Sequence, residues 1–276
     1  MDDTVSFVNR RLSPLRPRQF ATLSAGKVPE VTVMFWIVKI LTTGMGETSS
    51  DFLVRAIDPV IAVLIGAVVF SIALVIQFAT TRYVPWVYWL AVAMVSVFGT
   101  MAADVTHIVL GVPYLASTVT FAAALAIVFL VWHRSERTLS IHSITTRRRE
   151  TFYWATVLVT FALGTAAGDM TATTLHLGYF ASGVLFAVVI AIPALGYRFA
   201  GFNPVFAFWF AYITTRPLGA SFADWMGVSH ARGGLQWGTG LVSVALAVLI
   251  VAGVAVITVR EKRSTRTFVS SASSTN

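Results

Sequence analysis

Acidic side chains occupy one fixed position in a pattern that occurs four times along this chain. The pattern consists of an aromatic residue, Trp, nine further residues, Gly, four further residues and Asp, and its internal spacing never changes. It starts at Phe35, Tyr88, Tyr153 and Phe208 and ends at Asp51, Asp104, Asp169 and Asp224. Carboxylate oxygens bind protons and are preferred ligands of Mg²⁺, Ca²⁺ and Mn²⁺. The pattern therefore predicts cation or proton chemistry at four related positions.

Each repeated Asp follows a partner residue by four positions. The partners are Glu47, Thr100, Thr165 and Ala220. Residues four apart share one face of a helix, so pseudo-symmetric repeats would turn all these side chains toward one axis. The predicted ion-binding set is Glu47, Asp51, Thr100, Asp104, Thr165, Asp169 and Asp224, with Arg216 as an internal counter-ion.

A metal ion is one way to stabilise such a cluster, because four carboxylates at one depth repel one another. A buried carboxylate costs several kcal/mol unless it is paired, hydrated or metal-bound. Three histidines, His107, His176 and His230, follow a repeated Asp within seven positions, and imidazole extends the range of metals toward Mn, Fe, Co, Ni and Zn. The predicted metal ligands are Glu47, Asp51, Asp104, Asp169, Asp224, His107 and His176.

Composition indicates that this chemistry lies inside a membrane. Apolar residues make up 57% of the 276 residues and charged residues only 12%, about half the charged share of soluble domains. Several uncharged runs, among them 59–81, 83–103, 108–132 and 233–259, exceed the ~18–20 residues that a spanning helix needs. They do not alternate as barrel strands do. We therefore predict an all-α transmembrane protein.

We predict eight helices, two in each repeat. The odd helices cover 31–50, 84–105, 151–168 and 203–222, and the even helices cover 58–80, 108–132, 177–197 and 235–259. Polar side chains are concentrated in the odd helices, and polar groups in a bilayer face the bundle interior. We expect an inner layer of odd helices, an outer layer of even helices, and four repeats in parallel orientation, because each repeat contributes two spans.

These elements form one membrane domain at residues 29–259. Its repeats cover approximately 29–81, 82–133, 150–198 and 202–259, and it lies between tails at 1–28 and 260–276. The second tail is rich in Ser and Thr, a composition typical of disorder.

The net charge of +8 follows the predicted topology. Sixteen of the 20 Lys and Arg residues fall in the tails and alternate loops, and only Arg55 and Arg232 fall in the opposite loops. This is the positive-inside distribution, so we expect both termini in the cytoplasm. Orientation and attraction to anionic lipid explain the basic balance, and we expect no nucleic-acid partner.

Several classes of chemistry are excluded or unsupported by the sequence. The chain contains no cysteine, which excludes disulfides and thiolate metal sites. It also lacks a phosphate-binding loop, a His-Glu-x-x-His motif and a Gly-x-Ser-x-Gly motif. We expect neither an enzyme nor a bound cofactor.

The repeats resemble a family of bacterial membrane proteins that carry a tandem repeat of unknown function. The resemblance rests on the stretches from Phe35 to Asp51 and from Thr215 to Asp224, on Gly99-Thr100 with Asp104, and on Gly164-Thr165 with Asp169. It covers approximately residues 28–258. It implies a multi-pass protein of the bacterial inner membrane and no particular reaction.

Three functions fit these observations. The first is a transporter of a divalent cation such as Mn²⁺ or Mg²⁺, with proton-coupled efflux through the ring of Asp carboxylates. The second is a proton-coupled carrier of a small organic solute, and the third is a non-transporting intramembrane enzyme or scaffold. In a purely structural interpretation each Asp caps the following connection, the repeated Gly allows close packing, and the repeated Trp anchors the interface. Lys39 would then extend to the membrane surface.

Overall fold

The computed structural model describes residues 26–273, and within that range the chain forms eight α-helices and no strand. They are α1 Val33–Ala56, α2 Pro59–Ala79, α3 Pro85–Asp104, α4 Tyr114–Glu136, α5 Arg147–Asp169, α6 Gly178–Phe199, α7 Pro204–Gly227 and α8 Thr239–Ser273. The all-α fold and its four two-helix repeats are therefore confirmed. Most of the predicted tail at 1–28 lies outside the described residues. Helix α8 extends to Ser273 and thus includes most of the predicted second tail.

Local signals explain where several helices begin. Pro59, Pro85 and Pro204 stand in the first turn of α2, α3 and α7, where the missing N–H of proline costs no helical hydrogen bond. The Asp58 side chain accepts hydrogen bonds from two backbone N–H groups of α2, and Asn203 caps α7 in the same way. Such caps stabilise a helix end by about 1 kcal/mol.

Six of the eight helices in the described part are long and apolar enough to cross a membrane. They are α2, α3, α4, α5, α6 and α8. The other two, α1 and α7, are 24 residues long each and carry several charged side chains, including Lys39 and Glu47 in α1 and Arg216 in α7. Six helices thus have the composition of a multi-pass membrane protein, and two helices, α1 and α7, are more polar.

The odd-numbered helices contact one another in a closed ring: α1 with α3, α3 with α5, α5 with α7, and α7 with α1. Each even-numbered helix packs most extensively on the odd helix of the following repeat, so that α2 packs on α3, α4 on α5, α6 on α7 and α8 on α1. The odd helices also bury a larger share of their residues, 61% for α3 against 17% for α2. The parallel orientation and two-layer order of the repeats stay predictions.

The repeated glycines make the close contacts of this ring. A methyl group added at Gly99 would lie 2.7 Å from the Cβ atom of Phe161 on the next odd helix. The other three repeated glycines face the next odd helix in the same way, with Gly46 against Ser96, Gly164 against Arg216 and Gly219 against Thr43. Every facing residue stands seven positions after the Trp of its own repeat. The ring is therefore cyclic, since the fourth repeat meets the first as the others meet their neighbours.

Aromatic side chains close one end of the ring, which we call the Trp end. The aromatic residue of each repeat packs on the Trp of the next repeat. The ring-centroid distances are 5.7 Å for Phe35–Trp89, 5.7 Å for Tyr88–Trp154, 6.1 Å for Tyr153–Trp209 and 5.7 Å for Phe208–Trp36. Because Trp89, Trp154 and Trp209 are buried in these contacts, the expectation that they anchor the membrane interface is wrong.

A buried ion pair lies near this end. The Lys27 ammonium lies 2.5 Å from the Glu150 carboxylate, which also accepts a hydrogen bond of 3.0 Å from the Gln77 amide. Lys27 belongs to the predicted first tail, and both members of the pair are buried. The pair therefore holds the segment before α1 against α2 and α5.

Candidate functional site

The guanidinium of Arg216 lies inside the ring of odd helices and is fully buried. Its Nη2 atom donates to the Glu47 carboxylate at 2.6 Å and to the Thr165 hydroxyl at 2.7 Å, and it also contacts the Thr100 hydroxyl. One side chain from each of α1, α3 and α5 thus meets one cation from α7. The predicted pairing of Arg216 with an acid is present in the structure.

The repeat explains how these four side chains come together. Glu47, Thr100 and Thr165 each stand eleven positions after the Trp of their repeat, where the fourth repeat has Ala220. Arg216 stands seven positions after its own Trp. Its backbone therefore lies one helical turn before the level of Glu47, Thr100 and Thr165. Gly164 leaves room for its stem, because a methyl group there would overlap the Arg216 Cβ and Cγ atoms. A glycine on α5 therefore admits the guanidinium into the ring.

Hydroxyl groups at the position of Arg216 in two other repeats join neighbouring helices. Ser96 donates to the backbone carbonyl of Thr42 at 2.8 Å, and Thr43 donates to the carbonyl of Thr215 at 3.2 Å. These bonds connect α3 to α1 and α1 to α7. They keep the odd helices close at the level where Arg216 enters.

Lys39 is a second cation inside the ring. It is fully buried, and its ammonium nitrogen lies 4.2 Å from the ring centroid of Phe161 and 4.3 Å from that of Tyr212. The expectation that it extends to the membrane surface is therefore wrong. Lys39, Thr43 and Glu47 are spaced by four residues along α1, so one helical face turns all three inward.

Three of the buried side-chain atoms that lack a hydrogen-bond partner in the described part of the chain belong to these two cations. Among the described residues, Lys39 Nζ, Arg216 Nε and Arg216 Nη1 are buried and have no hydrogen-bond partner. The hydroxyl of Thr160 on α5 is in the same condition. Buried polar groups are normally hydrogen-bonded, and each exception costs about 1–3 kcal/mol. The centre of the ring thus holds three cationic donor atoms that have no acceptor among the described residues.

The four repeated Asp residues lie beyond this centre, at what we call the Asp end. Asp51 lies 2.5 Å from Arg55, and Asp104 accepts a hydrogen bond of 3.4 Å from Ser50. Short π-helices, Val105–Val109 and Met170–Thr174, follow Asp104 and Asp169, and neither Asp makes a side-chain cap hydrogen bond to them. Asp51 and Asp224 lie within α1 and α7. The structural interpretation of the four Asp residues as caps is therefore wrong.

The carboxylates interact electrostatically with one another, although no hydrogen bond joins them in the described structure. Asp104 interacts electrostatically with Glu47, Asp169 and Asp51, and Asp224 interacts with Glu47, Asp51 and Asp169. Apart from Asp224 the repeated Asp residues are only partly buried. The Asp end is thus an acidic region with some access to solvent.

Arg232, in the connection between α7 and α8, interacts electrostatically with several of these acids. It donates a hydrogen bond to the Tyr179 hydroxyl. Burial lowers the pKa of Arg232, but the Tyr179 hydroxyl and the carboxylates of Asp51 and Asp224 raise it more, so the net shift is upward. Arg232 therefore belongs electrostatically to the acidic region.

The predicted metal ligands do not form a preformed metal site. Both ring nitrogens of His107 face their own hairpin, Nδ1 at 3.0 Å from the Val112 carbonyl and Nε2 at 3.2 Å from the Ser117 hydroxyl. His176 is exposed. Among residues 26–273, no three His, Asp or Glu side chains converge closely enough to hold a metal ion.

A cavity of about 630 Å³ lies away from these residues, near the Trp end. Apolar side chains of α6 and α7, together with the 139–142 segment, form most of its lining. None of the predicted site residues lines it.

Sequence reasoning missed Lys39, Ser50 and Arg232 as members of this region. The four-residue spacing from Lys39 to Glu47 was a signal that could have found Lys39. Ser50 and Arg232 had no such signal, because their contacts depend on how α3 and the last connection meet the ring.

Four consecutive segments of the chain match one family, described as Repeat of Unknown Function (DUF347), at residues 34–83, 87–138, 152–201 and 207–263. Neither the curated proteins nor the solved structures include a match to the chain.

Proposed function

The chain belongs to this repeat family, and we propose that it is a proton-coupled carrier of a small organic solute in a lipid bilayer. The observation that carries the proposal is the Arg216–Glu47 pair inside the ring of odd helices, surrounded by Thr100 and Thr165. A fully buried pair costs several kcal/mol of desolvation for each ion. Charged groups within a membrane domain typically mark a substrate or proton path.

The two ends of the ring support a path for the solute that is closed at the Trp end. Aromatic side chains fill the Trp end, and Tyr88 and Tyr153 are joined there by a hydroxyl–hydroxyl distance of 2.5 Å. Partly buried carboxylates occupy the Asp end. In our proposal the solute and protons enter from the Asp end, the acids relay protons, and the Arg216–Glu47 pair separates when the Trp end opens.

A divalent cation is less favoured as the solute. Such an ion would have to pass Arg216 and Lys39, two buried cations within 5.4 Å of the same Phe161 ring. Like charges repel strongly where the effective dielectric constant is low. The acidic Asp end does attract cations, so Mn²⁺ and Mg²⁺ remain the alternative that the transport experiment must include.

A scaffold accounts for the packing glycines but not for the charges. Replacing a buried ion pair by apolar residues of similar volume often leaves stability unchanged or increases it. A protein selected only for packing would therefore gain nothing from Lys39, Glu47 and Arg216 in its centre. The proposal assigns no catalytic role to any residue.

We also propose the bacterial inner membrane as the location, with both termini in the cytoplasm. The support is the distribution of Lys and Arg between alternate loops. In this orientation the Asp end faces outward and the Trp end faces the cytoplasm.

Proteoliposomes that enclose a pH-sensitive dye test the transport proposal. Amino acids, carboxylates, sugars, amines, Mn²⁺ and Mg²⁺ are added outside in turn, and the internal pH is followed. We expect at least one organic class to change the internal pH with wild type but not with Glu47→Gln. A response to the metal ions alone would favour the cation transporter, and no response to any compound would contradict both.

Asp58→Asn provides the matched control for this experiment. Asp58 is an exposed carboxylate that caps α2, and Asn caps helices equally well. The variant removes one carboxylate without touching the ring, so its transport should equal that of wild type.

A further inference from the structure

We propose that Lys39 and Arg216 together bind the carboxylate group of a small organic anion. This inference rests on the proposed function, because it names the class of the transported solute. It starts from two cations and one carboxylate that are all buried inside the same ring of helices.

The first support is charge. Lys39, Arg216 and Glu47 are each at most 4% exposed, and Glu47 lies 2.6 Å from Arg216. When Lys39 is protonated, one positive charge of this group is left without a buried counter-charge among the described side chains that contact it. A bound monovalent anion would neutralise the group, whereas a dianion would give it an excess negative charge.

The second support is the set of free donors. Lys39 Nζ and two nitrogens of Arg216 are buried without a hydrogen-bond partner in the described part of the chain. Hydrogen bonds from ammonium and guanidinium groups to a carboxylate are among the strongest in proteins. These nitrogen atoms can donate hydrogen bonds to both oxygens of a carboxylate. A chloride ion would accept fewer of these hydrogen bonds.

The third support is the apolar surface beside the cations. The Phe161 ring lies 4.2 Å from the Lys39 ammonium and 5.4 Å from the centre of the Arg216 guanidinium, and Tyr212 covers the ammonium from another direction. Both rings are fully buried, so the hydrocarbon part of an organic anion packs on them, with its carboxylate at the cations, only when the odd helices separate. An inorganic anion would leave this surface unused.

The position of the acids connects the anion to protons. An anion that enters from the Asp end passes Asp51, Asp104, Asp169 and Asp224, with Arg55 and Arg232 beside them. Ionised carboxylates repel such an anion, and protonated carboxylates do not. Proton uptake at the Asp end would therefore precede entry of the solute, which is the order expected of symport.

The test is a binding experiment on the full chain purified in detergent. The thermal unfolding midpoint is measured at constant pH while propionate, propionamide or chloride is added. We expect propionate to raise the midpoint with saturation, while uncharged propionamide has no effect and chloride acts at least tenfold more weakly. Equal effects of propionate and chloride, or no saturable effect of propionate, would overturn the proposal.

Three variants connect the effect to the site. Lys39→Met should weaken propionate binding at least tenfold, while Lys39→Arg keeps the charge and should retain most of the affinity. Arg82→Gln removes one positive charge from an exposed position and should bind as wild type does. Unchanged binding by Lys39→Met would overturn the assignment. If Lys39→Met does not fold, the deciding measurement is the response of Lys39→Arg to propionate, propionamide and chloride.

Binding and transport can fail separately. Saturable propionate binding without any solute-dependent pH change in proteoliposomes would contradict the carrier but retain the anion site. A proton-coupled response to an uncharged solute without propionate binding would do the opposite.

Discussion

The Arg216 guanidinium donates a hydrogen bond of 2.6 Å to the Glu47 carboxylate across 169 residues of sequence. The bond joins the last repeat to the first, and Thr100 and Thr165 bring the second and third repeats to the same cation. All four repeats therefore depend on one ion pair for the polar centre of the ring.

Breaking this pair from the acidic side should destabilise the fold. Glu47→Gln leaves the buried guanidinium without its counter-charge, so we expect the free energy of unfolding to fall by about 3–5 kcal/mol. Chemical denaturation in detergent micelles measures the change, with Asp58→Asn as the control. The double variant Glu47→Gln with Arg216→Met should recover part of the loss, and an additive double variant would show that the pair is not coupled.

The repeated glycines predict a contrast within one helix. Gly164→Ala would push a methyl group into the Arg216 stem, and such overpacking costs about 1–3 kcal/mol. A methyl group at Gly168 would meet its nearest neighbours at 3.7–3.8 Å, an ordinary van der Waals contact. Gly168→Ala should therefore stabilise α5 by about 0.5–1 kcal/mol. Unfolding midpoints of the two variants check the contrast, and equal midpoints would contradict it.

The two buried lysines should respond in opposite directions to the same substitution. Lys27 is paired with Glu150, and Lys27→Met would leave a buried carboxylate with one fewer partner. We expect a loss of about 3 kcal/mol. Lys39 has no anionic partner at hydrogen-bond distance among the described residues, and its two aromatic contacts offset only part of its desolvation. In buffer without organic anions, Lys39→Met should raise stability by about 1 kcal/mol. Denaturation of both variants side by side tests this difference, and a large loss in each would count against it.

The absence of cysteine from the chain makes it suited to thiol labelling of its topology. A cysteine in place of Ser143, in the basic segment between α4 and α5, should react with a membrane-impermeant maleimide only after cells are permeabilised. A cysteine in place of Asp58, between α1 and α2, should react in intact cells. The reverse pattern would invert the proposed orientation. Val92→Cys, at a fully buried position of α3, should stay unlabelled on both sides.

Local patterns were sufficient to predict the eight helices and four repeats. Apolar length, the fixed spacing of Trp, Gly and Asp, and polar residues at helix ends are all properties of short segments. The convergence of Glu47, Thr100 and Thr165 also followed from the repeat, since equal positions on related helices face the same axis.

The roles of the repeated Trp residues and of Lys39 could not be obtained in the same way. An interfacial Trp and a Trp that packs on the next repeat look alike in a single sequence, because both stand near the end of an apolar helix. Lys39 has a stem long enough to reach either the surface or the ring. In both cases the contacts with the neighbouring repeat decide the outcome.

Gly219 packs against Thr43 where the fourth repeat meets the first, and the other three junctions have the same kind of contact. All four junctions of the ring are therefore alike. These contacts therefore do not fix which repeat comes first in the chain, as long as the cyclic order of the repeats is kept. A circularly permuted chain, with its original ends joined by a flexible linker and new ends opened between α4 and α5, should assemble the same ring around Arg216.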